Sequence, residues 1–549
     1  MTQRILLGDE SVALGAIHAG ISAAYAYPGT PSTEIMEYLL RHQATHQRPH
    51  AAWCANEKTA YEEALGACFA GRRALVAMKH VGLNVAADAF VNSALVAVHG
   101  GLVVAVADDP GMHSSQNEQD SRFYGDFARV LTLEPATQQE AYDMTREAFD
   151  LSEAFRVPVL LRLVTRLAHS RTTVATGAPR AENPIHKAPQ RSTWILLPGN
   201  ARRQWSELVA RQPDLLAWSE SCRWNHLALH SARRDLGVIT SGIARNYYRE
   251  LLPELGAAPS HLHVGAYPLP VERVRMLAAQ VERVLVLEDG SPFIERQLRG
   301  LLPGRLSVAG RMSGEIPPTG ELTPDLVRAA LGLDSRPGLA VEGVALPNRP
   351  PQLCQGCPHA HAYKALKQAL EGLEASMVTA DIGCYTLGAL PPFSAIESCV
   401  CMGASIGMAK GAAEVGFHPV VAVIGDSTFL HSGLTALMDA VAANANMTLL
   451  ILDNQTVGMT GAQDPIVPSA RLDAIVRGLG VDPDHCHVVD AHPRRVSQNA
   501  AILRREIEHR GLSVVIARRE CKEVTRRKAR AAGGSERAET GAGTEATIS

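Results

Sequence analysis

Cysteine is scarce in this chain, with 10 in 549 residues, which excludes a disulfide-stapled fold. Long apolar runs are missing as well. The longest candidate, Ala94 to Ala107, is broken by His99, Gly100 and Gly101, short of the ~18 residues that a membrane span needs. Neither sign of charge dominates. Lys+Arg is 53 against Asp+Glu 56, a formal net charge of -3, so the chain is not built to bind nucleic acid or another polyanion. The opening MTQRILLGDE holds acidic residues within ten positions and no apolar signal core. Export is therefore not expected, and the cysteines are expected as reduced thiols or ligands in a cytoplasmic protein. No G-x-G-x-x-G or Walker pattern marks a nucleotide site.

What is present is an α/β enzyme composition, 46% hydrophobic and 20% charged, long enough for three or four domains. Apolar runs recur, each followed by a Gly-containing turn and a helical pattern: Ala74-Leu-Val-Ala, Leu102-Val-Val-Ala-Val, Val159-Leu-Leu-Arg-Leu, Val284-Leu-Val-Leu, Val420-Val-Ala-Val-Ile and Leu449-Leu-Ile-Leu. Continuous apolar strands alternating with helices predict parallel sheets buried on both faces. Two aperiodic stretches, Arg171 to Arg191 and Pro337 to Pro351, are expected as linkers. They leave blocks of about 170, 145 and 180 residues, each the size of one doubly wound domain: 1–175, 190–336 and 350–525. From Arg526 onward the chain has almost no large apolar residue, and 526–549 is expected as a disordered tail.

The most informative stretch runs from Val420 to Thr456. It reads as strand, tight turn, helix and strand, the first strand ending in Gly425-Asp426-Ser427 and the second in Asp453-Asn454-Gln455-Thr456. Neighbouring parallel strands present their carboxyl ends on one edge, where α/β folds bind ligands. Asp426 and Asn454 are therefore expected to converge across 28 residues. A carboxylate and an amide oxygen are hard ligands suited to Mg²⁺ carrying a diphosphate. The competing reading is that GDS and DN are plain turn residues after buried strands.

The GD…N pair resembles the metal–diphosphate motif of thiamine-diphosphate enzymes. There the Asp and Asn side chains and the carbonyl two residues after the Asn, here Thr456, hold the metal. Cys354-Gln-Gly-Cys357-Pro-His359, Ala380-Asp-Ile-Gly-Cys-Tyr385-Thr-Leu-Gly388 and Cys401-Met-Gly-Ala-Ser405 look like blocks of the alpha subunit of indolepyruvate ferredoxin oxidoreductase. That resemblance implies three doubly wound domains of the thiamine-diphosphate-enzyme type. They would be pyrimidine-binding at 1–175, transketolase C-terminal-like at 190–336 and diphosphate-binding at 350–525. It also implies cofactor contacts from Gly356, Cys357, Asp381, Gly383, Cys384, Met402, Gly403, Gly425, Asp426, Ser427 and Asn454. Metal ligands would be Asp426, Asn454 and Thr456. Cys354-x-x-Cys357 alone also suits half a zinc site or a redox pair. The nearby Cys399-x-Cys401 lies 42 residues beyond Cys357, and the cofactor-lining reading is preferred.

Thiamine diphosphate needs a buried carboxyl group against its aminopyrimidine ring. Glu57, in Trp53-Cys-Ala-Asn-Glu57-Lys-Thr-Ala-Tyr, resembles the family's activating Glu, and Glu62 is its competitor. Tyr27-Pro-Gly-Thr-Pro-Ser-Thr-Glu34, Met78-Lys-His-Val-Gly and Asp108-Asp-Pro-Gly-Met-His113-Ser-Ser-Gln-Asn117 resemble further blocks of the same family. They make Thr30, Lys79, His113, Ser114 and Arg122 candidates for holding a substrate carboxylate.

The resemblance implies a Mg²⁺-dependent oxidative decarboxylase of aryl 2-oxoacids, forming an acyl-CoA. A beta-type partner subunit or a homodimer and an electron acceptor such as ferredoxin would go with it. Alpha subunits of the family continue into a cysteine-rich module. Here only Cys521 stands in that region, without a C-x-x-C-x-x-C run, so no iron–sulfur cluster is expected in this chain. The alternative is a non-oxidative decarboxylase or carboligase.

Overall fold

The computed structural model describes residues 2–186, 191–302, 304, 306–336, 352–373 and 375–529. The chain forms two compact units, 1–341 and 342–549.

In the first unit a seven-stranded sheet runs in the order Ala266–Tyr267, Thr132–Leu133, Val159–Val164, Leu102–Asp108, Ala74–Lys79, Ala23–Ala26 and His50–Trp53. All neighbours pair in parallel except the edge strand Ala266–Tyr267. Every residue of Ala74–Lys79, Leu102–Asp108 and Val159–Val164 is buried, as covering by helices on both faces requires. A second, five-stranded sheet has the order Ser307–Ala309, Arg283–Leu287, Gly237–Ser241, Ser260–Val264 and His226–Ala228, with only the last pair antiparallel. Ala266–Tyr267 follows Ser260–Val264 directly, yet pairs with Thr132–Leu133 of the first sheet. The stretches 1–175 and 190–336 therefore share one compact unit.

A buried ionic lattice ties these two sheets together. Arg162 and Arg122 are fully buried. Arg162 reaches Asp108 at 2.6 Å and Glu134 at 2.5 Å. Arg122 reaches Asp120 at 2.5 Å and Glu288 at 3.0 Å, and donates to Ser241 and Tyr267. Asp108 and Glu134 belong to the first-sheet half and Glu288 follows a second-sheet strand. Arg122 thus sits among carboxylates from both, whereas Arg162 reaches the second half through the Asp289 carbonyl at 2.9 Å.

The expected linker at 171–191 is corrected at its start. Arg171–Thr176 is a strand, antiparallel to Thr2–Leu7 with Thr2 opposite Thr176 and Leu7 opposite Arg171. A two-stranded ribbon buries one face only, through Val174 and Leu6, so its apolar signal is too sparse to register as periodicity. Pro337 to Pro351 lies outside the described residues.

The second unit holds five parallel strands in the order Met377–Ala380, Val420–Gly425, Thr448–Asp453, Ser513–Arg518 and Cys486–Asp490. Val421, Val423, Leu450, Leu452 and Val515 face one core with Tyr363 and Leu503. Val420, Ala422, Ile424, Leu449 and Ile451 face the other with Ile406 and Leu437. The expected tail is also corrected at its start: residues 522–529 are helical. Lys, Arg and Ala are good helix formers, and the Arg526–Glu523 pair supports the turn. Residues 530–549 lie outside the described residues. Among the described residues, no helix is long and apolar enough to cross a membrane.

Arg122→Ala should leave Glu288 buried without its cation and Asp120 with only Arg162, 3.5 Å away, costing about 3–5 kcal/mol. A urea unfolding midpoint equal to that of the unaltered protein would show that the lattice does not hold the two sheets together.

Candidate active site

In the second unit, Ala380 pairs with Val423 and Gly425 with Leu452, so the parallel strands ending at Ala380, Gly425 and Asp453 finish on one edge of the sheet. Asp426 follows Gly425 at the start of a helix that runs through a π-helical turn, Phe429–Gly433, into Leu434–Ala442. Such bulges re-aim side chains at a helix start. Asp426 is buried, and its Oδ2 accepts the backbone N–H of Gln455 at 3.0 Å. Asp426 and Asn454 thus come together as their spacing suggested. Gln455 has a left-handed φ of 63°. That turn brings the Thr456 N–H to the Asn454 Oδ1, 3.2 Å away.

Burial, then the neighbouring Asp453 carboxylate, push Asp426 well above the usual carboxylate range. Asp453 itself is held by Arg518 Nε at 2.7 Å and by Ser469. One Asp453 oxygen and the Ser427 hydroxyl are buried with no hydrogen-bond partner. Buried acid with unfilled polar capacity is what a divalent cation and a diphosphate would complete.

The neighbouring turn is shaped around Tyr385. A Cβ added to Gly425 would meet the Tyr385 ring at 2.7 Å, so only glycine allows this approach. The Tyr385 hydroxyl donates to Asp381, whose other oxygen accepts the Ser405 N–H at 3.1 Å. Burial raises Asp381 to about 6. Asp381 thereby fixes the start of helix Ala404–Glu414, just after Gly403 and the half-buried Met402. Gly383 sits against the Tyr385 ring, whereas Gly356 is exposed in the turn that Cys354 and Cys357 close.

Four thiols gather at this edge. Burial pushes Cys384 up to about 12, and Cys357, Cys521 and Cys354 add to the effect. Burial likewise raises Cys357, with Cys354 and Cys521 contributing. Cys521 donates its N–H to the Asn454 carbonyl at 3.0 Å. A Cβ on Gly458 would lie 3.2 Å from Cys384 Sγ and 3.5 Å from Asn454 Nδ2. The thiols that influence Cys357 are therefore Cys354 and Cys521, where the sequence pointed only to Cys399 and Cys401. Spacing could not reveal them. The available signal was that Cys384 and Cys521 each follow a strand of the same parallel sheet by a few residues.

In the first unit the carboxyl edge carries Glu57, buried at the start of helix Glu57–Phe69, which Asn56 caps by accepting the Thr59 N–H at 2.8 Å. A Cβ on Gly82 would lie 2.6 Å from Glu57 Oε1, so the carboxyl group occupies the space that any side chain at 82 would need. Lys79 ends its strand and donates from Nζ to the Ser114 carbonyl at 2.9 Å. The Ser114 hydroxyl lies 3.4 Å from the Thr30 carbonyl. Thr30, Lys79 and Ser114 are thus brought together. His113 is half exposed, its Nε2 3.3 Å from Glu321 Oε2. Arg122 is a correction: every group it offers is spent on the buried lattice, so it is unavailable to a substrate carboxylate.

Residues 14–194 match the family "Pyruvate flavodoxin/ferredoxin oxidoreductase, thiamine diP-bdg" and residues 381–517 match "Thiamine pyrophosphate enzyme, C-terminal TPP binding domain". The chain is 38% identical over 543 residues to the indolepyruvate oxidoreductase subunit IorA of Archaeoglobus fulgidus, covering 94% of this chain and 86% of that protein. Identity to the IorA subunits of Methanothermobacter thermautotrophicus and Thermococcus kodakarensis is 37% and 35%, over 94% of this chain and 86% and 85% of theirs. The fold is similar to that of a 2-oxoglutarate:ferredoxin oxidoreductase from Magnetococcus marinus, with TM-score 0.50 and 18% identity. That likeness covers 60% of this chain and 65% of the other.

Burial lowers the Lys79 amine to about 8, against an opposing pull from Asp109. In an NMR pH titration of the methylated protein, Lys79 should change charge near 8 while exposed lysines do so above 10. A midpoint above 10 would mean that its amine is open to water.

Proposed function

The chain belongs to the IorA family of thiamine-diphosphate-dependent 2-oxoacid oxidoreductases, and we propose that it decarboxylates an aryl 2-oxoacid such as indolepyruvate oxidatively, with CoA as acyl acceptor. Support comes from 33–38% identity to six IorA subunits over 94% of the chain. A beta-type partner subunit or a second copy completes the enzyme, and ferredoxin or another carrier takes the electrons.

The residues present fit the cofactor. Asp426, Asn454 and the Thr456 carbonyl would hold Mg²⁺ against the diphosphate, and the unpartnered Ser427 hydroxyl offers a donor to a phosphate oxygen. Thiamine diphosphate, when bound, supplies a nucleophilic carbon and a sink for the electrons freed by decarboxylation. Glu57 would hold a proton at a ring nitrogen of the pyrimidine, its carboxyl group fixed by the close approach of Gly82. Lys79, with Thr30 and Ser114 beside it, would orient the substrate carboxylate. His113 lies at the exposed rim of this group.

The purified full chain with Mg²⁺ and thiamine diphosphate should release CO₂ from indolepyruvate only when partner subunit, CoA and electron acceptor are added. Glu57→Gln should then lower kcat by about 10²–10⁴-fold while leaving diphosphate binding intact. Steady CO₂ release with no acceptor would instead favour the non-oxidative alternative. A Glu57→Gln enzyme of full activity would remove Glu57 from its role.

Cys354, Cys357, Cys384 and Cys521 are a soft-ligand set, and against the expectation of a cluster-free chain we propose that they hold an iron–sulfur cluster. No three of their sulfurs form a trio within 4.8 Å, whereas thiolates on one zinc ion stand about 3.8 Å apart. Chain purified without oxygen should contain iron and acid-labile sulfide in equal amounts, and Cys384→Ser should lose most of both. Iron-free protein with full oxidative turnover would overturn this assignment.

A further inference from the structure

Asp9, Glu34 and His169 place one ligand atom each within 4.8 Å of the other two, the one such trio among the described residues. They come from three separate segments of the first unit. Asp9 lies in the first turn of helix Gly8–His18, and Glu34 in the first turn of helix Thr33–His46. His169 closes the short helix Thr165–His169. None of them is used by the cofactor or substrate groups described above.

The decisive feature is Asp9. It is 0% exposed, and neither carboxylate oxygen receives a hydrogen bond. Its polar neighbour is another acid, Glu34. Two carboxyl groups facing each other in a buried position repel when ionised. The imidazole of His169 stands on the open side, its Nε2 3.4 Å from Glu34 Oε2, with both side chains 35% exposed. Zn²⁺ bonds of about 2.0–2.2 Å to nitrogen and oxygen set tetrahedral ligands about 3.4 Å apart. A small closure of Asp9 onto the Glu34–His169 pair would complete three corners of that shell, leaving the exposed side for water.

We propose that Asp9, Glu34 and His169 form a second cation site, for a zinc-class divalent ion, at the foot of the helix that follows the Thr30 turn. An imidazole with two carboxylates favours Zn²⁺ over Mg²⁺, which takes an all-oxygen shell. The ion would join three chain segments through a bond to each. Glu34 follows Thr30 by one helical turn, so the same ion would steady the turn on the substrate side.

Burial and Glu34 push Asp9 well above its ordinary range, and Glu34 in turn raises His169.

The test uses the full chain with thiamine diphosphate and Mg²⁺, equilibrated with limiting Zn²⁺ and analysed for bound metal. So that any zinc taken up by thiols elsewhere cancels, the readout is the difference between the unaltered protein and Asp9→Asn or His169→Gln. One zinc per chain fewer in each variant is expected, together with loss of a zinc-dependent rise in Tm. Cobalt substitution should give weak visible bands of nitrogen and oxygen ligation that vanish in His169→Gln. His169 is half-buried at a helix end, so that variant reports even where Asp9→Asn does not fold. Equal zinc content and equal Tm response in the unaltered protein and His169→Gln would overturn the site.

Discussion

Strands buried on both faces govern this molecule. Every residue of Val420–Gly425 and Thr448–Asp453 is buried, and three strands of the first unit are the same. Such strands have no room for chemistry along their length, since an unpaired polar side chain there costs several kcal/mol. Polar residues are displaced to the ends, and parallel register puts those ends on one edge. Glu57, Lys79 and Asp108 are collected by one sheet in this way, and Asp381, Asp426 and Asn454 by another.

The exceptions to apolar burial are concentrated and compensated. Arg122 and Arg162 sit where the first unit's two sheets meet, each surrounded by carboxylates. The lattice lets one short strand, Ala266–Tyr267, leave its own sheet and extend its neighbour. Removing one partner leaves a buried charge, so the arrangement commits Arg122 to architecture and removes it from the substrate's reach.

Where charge is not compensated, a ligand is implied. Asp426 faces Asp453, and a buried hydroxyl stands beside them with nothing to bond. Four thiols gather near the Asn454 loop, and Asp9 meets only Glu34. The ligand atoms differ between the three: hard oxygen in the first, soft sulfur in the second and mixed oxygen and nitrogen in the third. The donor type in turn selects the class of ion.

Sequence alone determined the alternation of apolar strands and helices, hence parallel sheets, because burial on both faces leaves a continuous hydrophobic run. It also determined that Asp426 and Asn454 approach, since adjacent strand ends in a parallel sheet need no long-range packing to be predicted. It did not reveal the Arg171–Thr176 ribbon, whose single buried face carries too few apolar positions. Nor did it reveal that Arg122 is spent, because its partners Ser241, Tyr267 and Glu288 lie more than a hundred residues away. Only the tertiary structure gathered Cys384 and Cys521 to Cys354 and Cys357, and Asp9 and His169 to Glu34. Those meetings depend on the spatial order of strands and helices, and the linear spacing of residues does not encode it.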